Sequence, residues 1–201
     1  MNVVILVPWR PTPDREGPWE HGRSHLEELG FPIFTADSDG PVFSMAQAFN
    51  RAADRPWDKA ILSEADVWCP VDQIRAALEL GGLVYCYDRH VRLSRPETDR
   101  FLEAGVMPDR AAAPAESKLG SNGVRVIDRD LWDLVGGYDE RFVGWGAEDN
   151  DFLWRCVDAG GPVNRVAGPM FELAHEHEPV YRSGYRANRK LLAQKHPARY
   201  P

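Results

Sequence analysis

The sequence predicts an α/β protein, a single domain built on a mostly parallel central sheet flanked by helices. Three observations carry that reading. Residues 2–8 form a short, unbroken apolar run ending at a proline, the pattern of a strand covered on both faces. Two strand–helix–strand units follow one another before residue 70, which is how parallel neighbours are connected. The polar groups Arg10, Asp37 and Glu64/Asp66 each lie just beyond a predicted strand, where ligands bind in such sheets.

The elements follow in order. After the first strand, residues 9–18 are rich in proline and arginine and read as a loop. Residues 20–29 read as a helix stopped by Gly30, and 32–36 as a second strand. Residues 44–54 form an amphipathic helix with Ser44 in the N-cap position. A third strand at 59–63 runs into Glu64-Ala65-Asp66; a helix at 70–80 stops at Gly81-Gly82, and 83–88 is a fourth strand. Residues 89–120 show little periodicity, and a loop of that length inside one domain reads as a candidate mobile lid. A strand at 124–127, a short helix at 130–135 and a helix at 147–159 complete the predicted core. The chain thus divides into a nucleotide-binding half at 1–68, the lid at 89–120, an acceptor and metal-histidine half at 121–177 and a basic tail at 178–201.

Bulk properties narrow the function classes. The chain has 201 residues, enough for one domain with a substantial core. Its net charge of −7 argues against general nucleic-acid binding, which relies on neutralising phosphates. The longest apolar run is far too short to span a bilayer, and no secretory leader pattern is evident. Three scattered cysteines without a CxxC pair point to reduced thiols, so a cytoplasmic location is expected. From Tyr181 onward the charged residues are all basic, which fits either a solvated helix face or a segment folded over an anionic ligand.

Three motifs carry chemistry. In an extended segment Glu64 and Asp66 point the same way, so two hard oxygen donors can meet a Mn²⁺ or Mg²⁺ at a strand end. His175 and His177 flank Glu176 and can share a face; either one supplies the nitrogen ligand if Glu64 and Asp66 hold metal. The third is Gly136-Gly137-Tyr138-Asp139-Glu140-Arg141-Phe142-Val143-Gly144-Trp145-Gly146-Ala147-Glu148-Asp149-Asn150-Asp151. Its glycines leave the indole of Trp145 open to a flat ligand such as a sugar ring. Its acids open a helix, where the macrodipole favours them even with no ligand present. One of Glu148 and Asp149 is expected to be catalytic, the others to cap or bind.

The stretch GGYDERFVGWGAEDNDFLWR resembles the acceptor-side motif of GT-A-fold glycosyltransferases, of the β-1,4-galactosyltransferase and chondroitin-polymerase type within the broad family 2 group. The N-terminal strand ending in proline, the Ala48-Phe49-Asn50-Arg51-Ala52 segment, the acid-x-acid element and the late histidine follow the same order, so the resemblance covers roughly residues 3–177. It implies a GT-A, Rossmann-like sheet and an inverting transfer from a nucleotide-sugar, UDP-linked by family habit, to a saccharide or other hydroxyl acceptor. It further implies Asp66 and His175 as metal ligands, with Glu64 standing where the family usually has aspartate and His177 as a further candidate. Asp149 matches the base; Glu148, Trp145 and Gly146 line the acceptor site. Asp37 matches an acid that holds the nucleotide, and Pro8 to Arg10 lie against its base. Asn150 replaces an acid of the galactosyltransferases, which leaves the acceptor open.

Two rival readings stand beside this one. A sugar-nucleotidyltransferase would carry a glycine-rich basic loop after the first strand, whereas residues 9–17 hold one glycine. A non-catalytic sugar-binding module would have no need to keep Asp66, Asp149 and His175 together.

Overall fold

The computed structural model describes residues 1–105, 121–175 and 184–199. Val3–Pro8 forms strand β1, buried at every position because no charged side chain interrupts the run. Helix α1, Pro13–Glu27, begins inside the expected loop. Thr12 is extended at the N-cap, Pro13 opens the helix and Asp14 and Glu16 fill its first turn, all favourable to a helix start. Pro18, which suggested a loop, lies within the helix and is buried beside Trp19. Strand β2, Ile33–Ala36, pairs parallel with β1. In helix α2, Met45–Ala53, Ser44 caps the first turn by accepting from the Gln47 N–H. Strand β3, Lys59–Leu62, runs parallel to the other edge of β1.

Strand β4 (Val67–Trp68), helix α3 (Val71–Leu78) and strand β5 (Leu83–Tyr85) follow. The expected lid is structured where it is described: strand β6 spans Arg89–Arg92 and helix α4 spans Arg95–Ala104. Ser94 and Glu97 form a reciprocal capping box, Pro96 sits in the first turn, and Phe101 is buried. The rest of that expectation, residues 106–120, lies outside the described residues. Strand β7 (Arg125–Asp128), helix α5 (Arg129–Val135), helix α6 (Glu148–Asp158), strands β8 (Val163–Arg165) and β9 (Pro169–Glu172) and helix α7 (Tyr185–Lys195) complete the order.

The central sheet has the order β2-β1-β3-β7-β5-β8. Its parallel pairing is broken by β7, which is antiparallel to both β3 and β5. A second sheet, β4-β9-β6, was not expected. It encloses its own apolar cluster of Val91, Leu93, Phe101, Phe171 and Leu173. Its register matters for function, because β4 follows Asp66 directly and β9 ends three residues before His175. Val67 pairs with Glu172, and the Leu173 N–H donates to the Asp66 carbonyl at 2.8 Å. That pairing brings the two segments together. Among the described residues no helix is long and apolar enough to cross a membrane.

Candidate active site

Where β3 runs out, the chain sets Glu64 and Asp66 at the mouth of the sheet. Asp66 is buried, and its Oδ2 lies 2.5 Å from the His175 Nε2. Its Oδ1 is 3.7 Å from the guanidinium of Arg15 in α1. Burial works to raise the Asp66 carboxyl, but Arg15 and His175 outweigh it and hold the group well below the usual carboxylate range. Glu64 behaves oppositely. Burial, then the charges of Asp149 and Asp66, push it up to about 8, while its Oε1 accepts the Gly123 N–H at 2.6 Å.

Asp66 and His175 fit the implied metal, pairing an ionised carboxylate oxygen with an imidazole nitrogen, donors suited to Mn²⁺. Among the described residues no group of three or more His, Cys, Asp or Glu side chains gathers around a common point. Glu64 is the weaker donor, being drawn toward its neutral form with one oxygen engaged. His177 lies outside the described residues.

The second half of the site is the start of α6. Residues 136–146 reach it through contacts that the glycine turn permits. Gly137 has φ +65, and a Cβ there would come within 2.7 Å of the Asn50 Oδ1. That close approach lets the Asn50 side chain accept from the Tyr138 N–H at 2.8 Å and donate to the Tyr138 carbonyl at 2.9 Å. The Tyr138 ring then stacks between Phe49 and Phe152, with centroids at 5.1 and 4.3 Å. Its hydroxyl donates to Asp149 Oδ1 at 3.1 Å.

Asp149 is also ion-paired to Arg125, whose side chain is wholly buried, at 2.8 Å. The same guanidinium donates to the Ser121 carbonyl. Glu148 is buried beside it, and its Oε2 has no hydrogen-bond partner among the described residues. Burial, then the charge of Asp149, raises the Glu148 carboxyl well above the usual range. A group held neutral is a poor proton acceptor. Of the two acids, Asp149 is therefore the better placed as a base. Ala147, just before them, has φ +80 and no capping side chain, the one non-glycine residue with positive φ among the described residues.

The remaining expected residues lie further out. Pro8 closes β1, and the Trp9 N–H after it donates to the Ala36 carbonyl at 2.8 Å. Arg10 grips both oxygens of Asp37 at 2.8 and 3.0 Å and lies over the Phe43 ring, so these two reach any ligand as a preformed pair. Trp145 is 39% exposed and stacks on Tyr185 of α7 at 5.0 Å. Gly146 has φ +94, and a Cβ there would meet the same tyrosine ring at 3.0 Å. Asn188 of α7 donates to the Val143 carbonyl at 3.1 Å and fixes this turn from behind.

The basic tail is partly accounted for. Lys195 pairs with Asp139 and Asp151 at 2.5 and 2.7 Å, and His196 meets Asp151 at 2.9 Å. Their charge holds α7 to the acceptor segment and is not directed at a ligand. Asp151 is thereby structural. Residues 176–183 lie outside the described residues.

Sequence reasoning missed Arg15, Arg125 and Tyr185, because each acts through a partner distant in the chain. The signal for Arg125 was present: a lone arginine in an otherwise apolar predicted strand needs a buried counter-charge.

With this geometry in place, the comparisons with known proteins can be read. A family model described as the N-terminal domain of galactosyltransferase matches residues 109–178. Beta-1,4-galactosyltransferase 7 of Mus musculus and that of Homo sapiens are each 31% identical over 103 residues. Each match covers 47% of this chain and 30% of the relative, so the chain spans less than a third of those proteins' length. The catalytic domain of Drosophila beta-1,4-galactosyltransferase 7, solved with xylobiose, superposes with a TM-score of 0.56 at 18% identity, covering 82% of this chain and 64% of that one. The chain has the GT-A fold. A mutant of the Drosophila enzyme, solved with manganese, UDP-Gal and xylobiose, gives 0.58 at 17% identity, covering 91% and 74%. The mannosyltransferase PcManGT of Pyrobaculum calidifontis, solved with GDP-Man and Mn²⁺, gives 0.55 at 17% identity, covering 98% and 63%.

Proposed function

We propose that this protein is a metal-dependent, inverting glycosyltransferase, moving a sugar from a UDP-linked donor to a saccharide or other acceptor hydroxyl. The observation that carries the reading is the segment 123–125. Its Gly123 N–H is bound to Glu64 at one end, and its Arg125 is paired with Asp149 at the other. This short stretch ties the carboxylates after β3 to those opening α6, so both sets work in one cleft.

Asp66 and His175 would hold Mn²⁺ or Mg²⁺, with Glu64 and His177 as further candidates. When bound, the metal supplies charge neutralisation to the departing nucleoside diphosphate. Pro8, Arg10 and Asp37 take the nucleotide, and Trp145, Gly146 and Glu148 line the acceptor side. Asp149 accepts the proton of the acceptor hydroxyl as its oxygen bonds to the anomeric carbon. The bond from that carbon to the diphosphate oxygen breaks on the opposite face, and the anomeric configuration inverts. The matched galactosyltransferases support the acceptor motif, and the neighbours solved with manganese support the metal. Three buried free cysteines support a reducing cytoplasm as the setting.

The test is a thermal-shift panel of UDP- and GDP-sugars, with and without Mn²⁺, followed by NMR of the product's anomeric proton. A UDP-sugar should stabilise the protein only when Mn²⁺ is present. No stabilisation by any donor sinks the reading, and a product with the donor's own configuration sinks the inverting step.

A further inference from the structure

We infer that Arg125 and Tyr138 are positioning residues that clamp one oxygen of Asp149 and leave the other, Oδ2, as the atom that takes the acceptor's proton. The inference rests on the reading of Asp149 as the base. Both contacts fall on the same atom. Arg125 approaches Oδ1 at 2.8 Å and the Tyr138 hydroxyl donates to it at 3.1 Å. No side-chain hydrogen bond among the described residues falls on Oδ2. A carboxylate held by one oxygen from two directions cannot rotate freely, so its second oxygen keeps a fixed heading. Proton transfer between heavy atoms needs that alignment within hydrogen-bond reach.

The clamp is itself rigidly held. Arg125 is fully buried in β7, the strand between β3 and β5 in the central sheet. Its guanidinium stands 5.8 Å from the ring centres of both Phe49 and Tyr138. Tyr138 is fixed by its stack between Phe49 and Phe152 and by the Asn50 amide on its backbone. Burying a guanidinium here is costly unless it is paired. Its Nη1 meets the Ser121 carbonyl and Asp149, while Nε and Nη2 are buried without a hydrogen-bond partner among the described residues, so Asp149 is its counter-charge. A core with structural needs alone would be served as well by an apolar side chain at this position. Among the described residues the ion pair of Arg125 is with Asp149 and not with Glu64 or Glu148.

Two experiments, run on the full chain, test this. The first needs no substrate: a double-mutant cycle in thermal unfolding between Tyr138→Phe and Asp149→Ala. The inference expects coupling, with Tyr138→Phe shifting Tm less once Asp149 is gone; additive shifts overturn the clamp. The second measures steady-state kinetics with UDP- and GDP-sugars, Mn²⁺ and xylobiose or water as acceptor. Tyr138→Phe should lower kcat by roughly tenfold, the size of one hydrogen bond to a charged group, with acceptor and donor KM little changed. Arg125→Met should lower kcat on the order of 10²-fold, as a misaligned reacting group does, and Arg125→Lys should recover part of that loss. Because Arg125→Met leaves Asp149 without its buried counter-charge and strains folding, Tyr138→Phe alone decides the kinetic arm. An active wild type with an unaffected Tyr138→Phe overturns the inference alone. A wild type that releases nucleotide from no donor overturns the proposed function, and the positioning role falls with it.

Discussion

The two poles of the cleft use opposite electrostatic arrangements. At the donor pole one carboxylate, Asp66, lies between two partners from distant elements, the Arg15 guanidinium of α1 and the His175 imidazole after β9. At the acceptor pole Glu148 and Asp149, with Glu64 nearby, share a single buried guanidinium, that of Arg125. A guanidinium and a hydrogen-bond donor beside a carboxylate favour its ionised form, whereas burial among other carboxylates favours the neutral one. On the proposed reading, one fold makes a metal-holding acid and a proton-accepting acid from the same side-chain chemistry.

The comparison breaks most sharply at Asp149. Asp149→Asn should lower transfer on the order of 10³-fold, the range of a lost general base, while calorimetry shows donor binding intact. Retained turnover would move the base to Glu148. Asp66→Ala should strike the other pole, weakening Mn²⁺-dependent UDP binding by at least about 10²-fold, since even outer-shell changes at metal sites cost up to that much. Unchanged calorimetric binding would remove Asp66 from the donor side. Trp145→Ala should raise acceptor KM about tenfold, near the worth of one aromatic stacking contact, with donor KM unmoved. If the donor KM moves instead, Trp145 faces the wrong pole.

The smallest effect is read in stability. Folding raises the Glu148 carboxyl above its unfolded value of roughly 4.3. Its contribution to stability is therefore complete below that pH and is lost as the pH climbs toward the folded value. Glu148→Gln removes the titration. The melting temperature of the variant relative to wild type should thus rise as the pH climbs above roughly 4.3, by at least about 2 °C, what one kcal/mol is worth in a chain of this size. A difference independent of pH would mean that Glu148 is not held neutral.

Much of this contrast was legible in the sequence at the level of residues and little of it at the level of partners. Asp66, His175 and Asp149 stood out because acid-x-acid, HxH and the GWG-acid run are local patterns. The second sheet did not, because β4 has two residues and β6 and β9 four each, too short for a period to emerge. Its register is nevertheless what places His175 against Asp66. Segment 89–104 was misread as loop although its capping box at Ser94 and Glu97 was readable, and Pro18 was read as a loop signal though it is accommodated in α1. Arg125 and Arg15 were passed over for a different reason. An arginine's role depends on which carboxylate folding delivers to it, and that is a tertiary fact.

Ala147 gives the acceptor pole one more property. Its φ of +80 is a conformation that costs an L-residue about 1 kcal/mol, and no side chain caps the helix behind it. The bend immediately before Glu148 and Asp149 is thus held in tension by its surroundings, by Phe142 and Leu192 packed beside it and by α7 fastened across the turn. The aim of the two acids is set by that outside grip more than by α6 itself. Loosening α7, at Lys195 or Asn188, is a way to shift the two acids from a distance without substituting any residue that touches them.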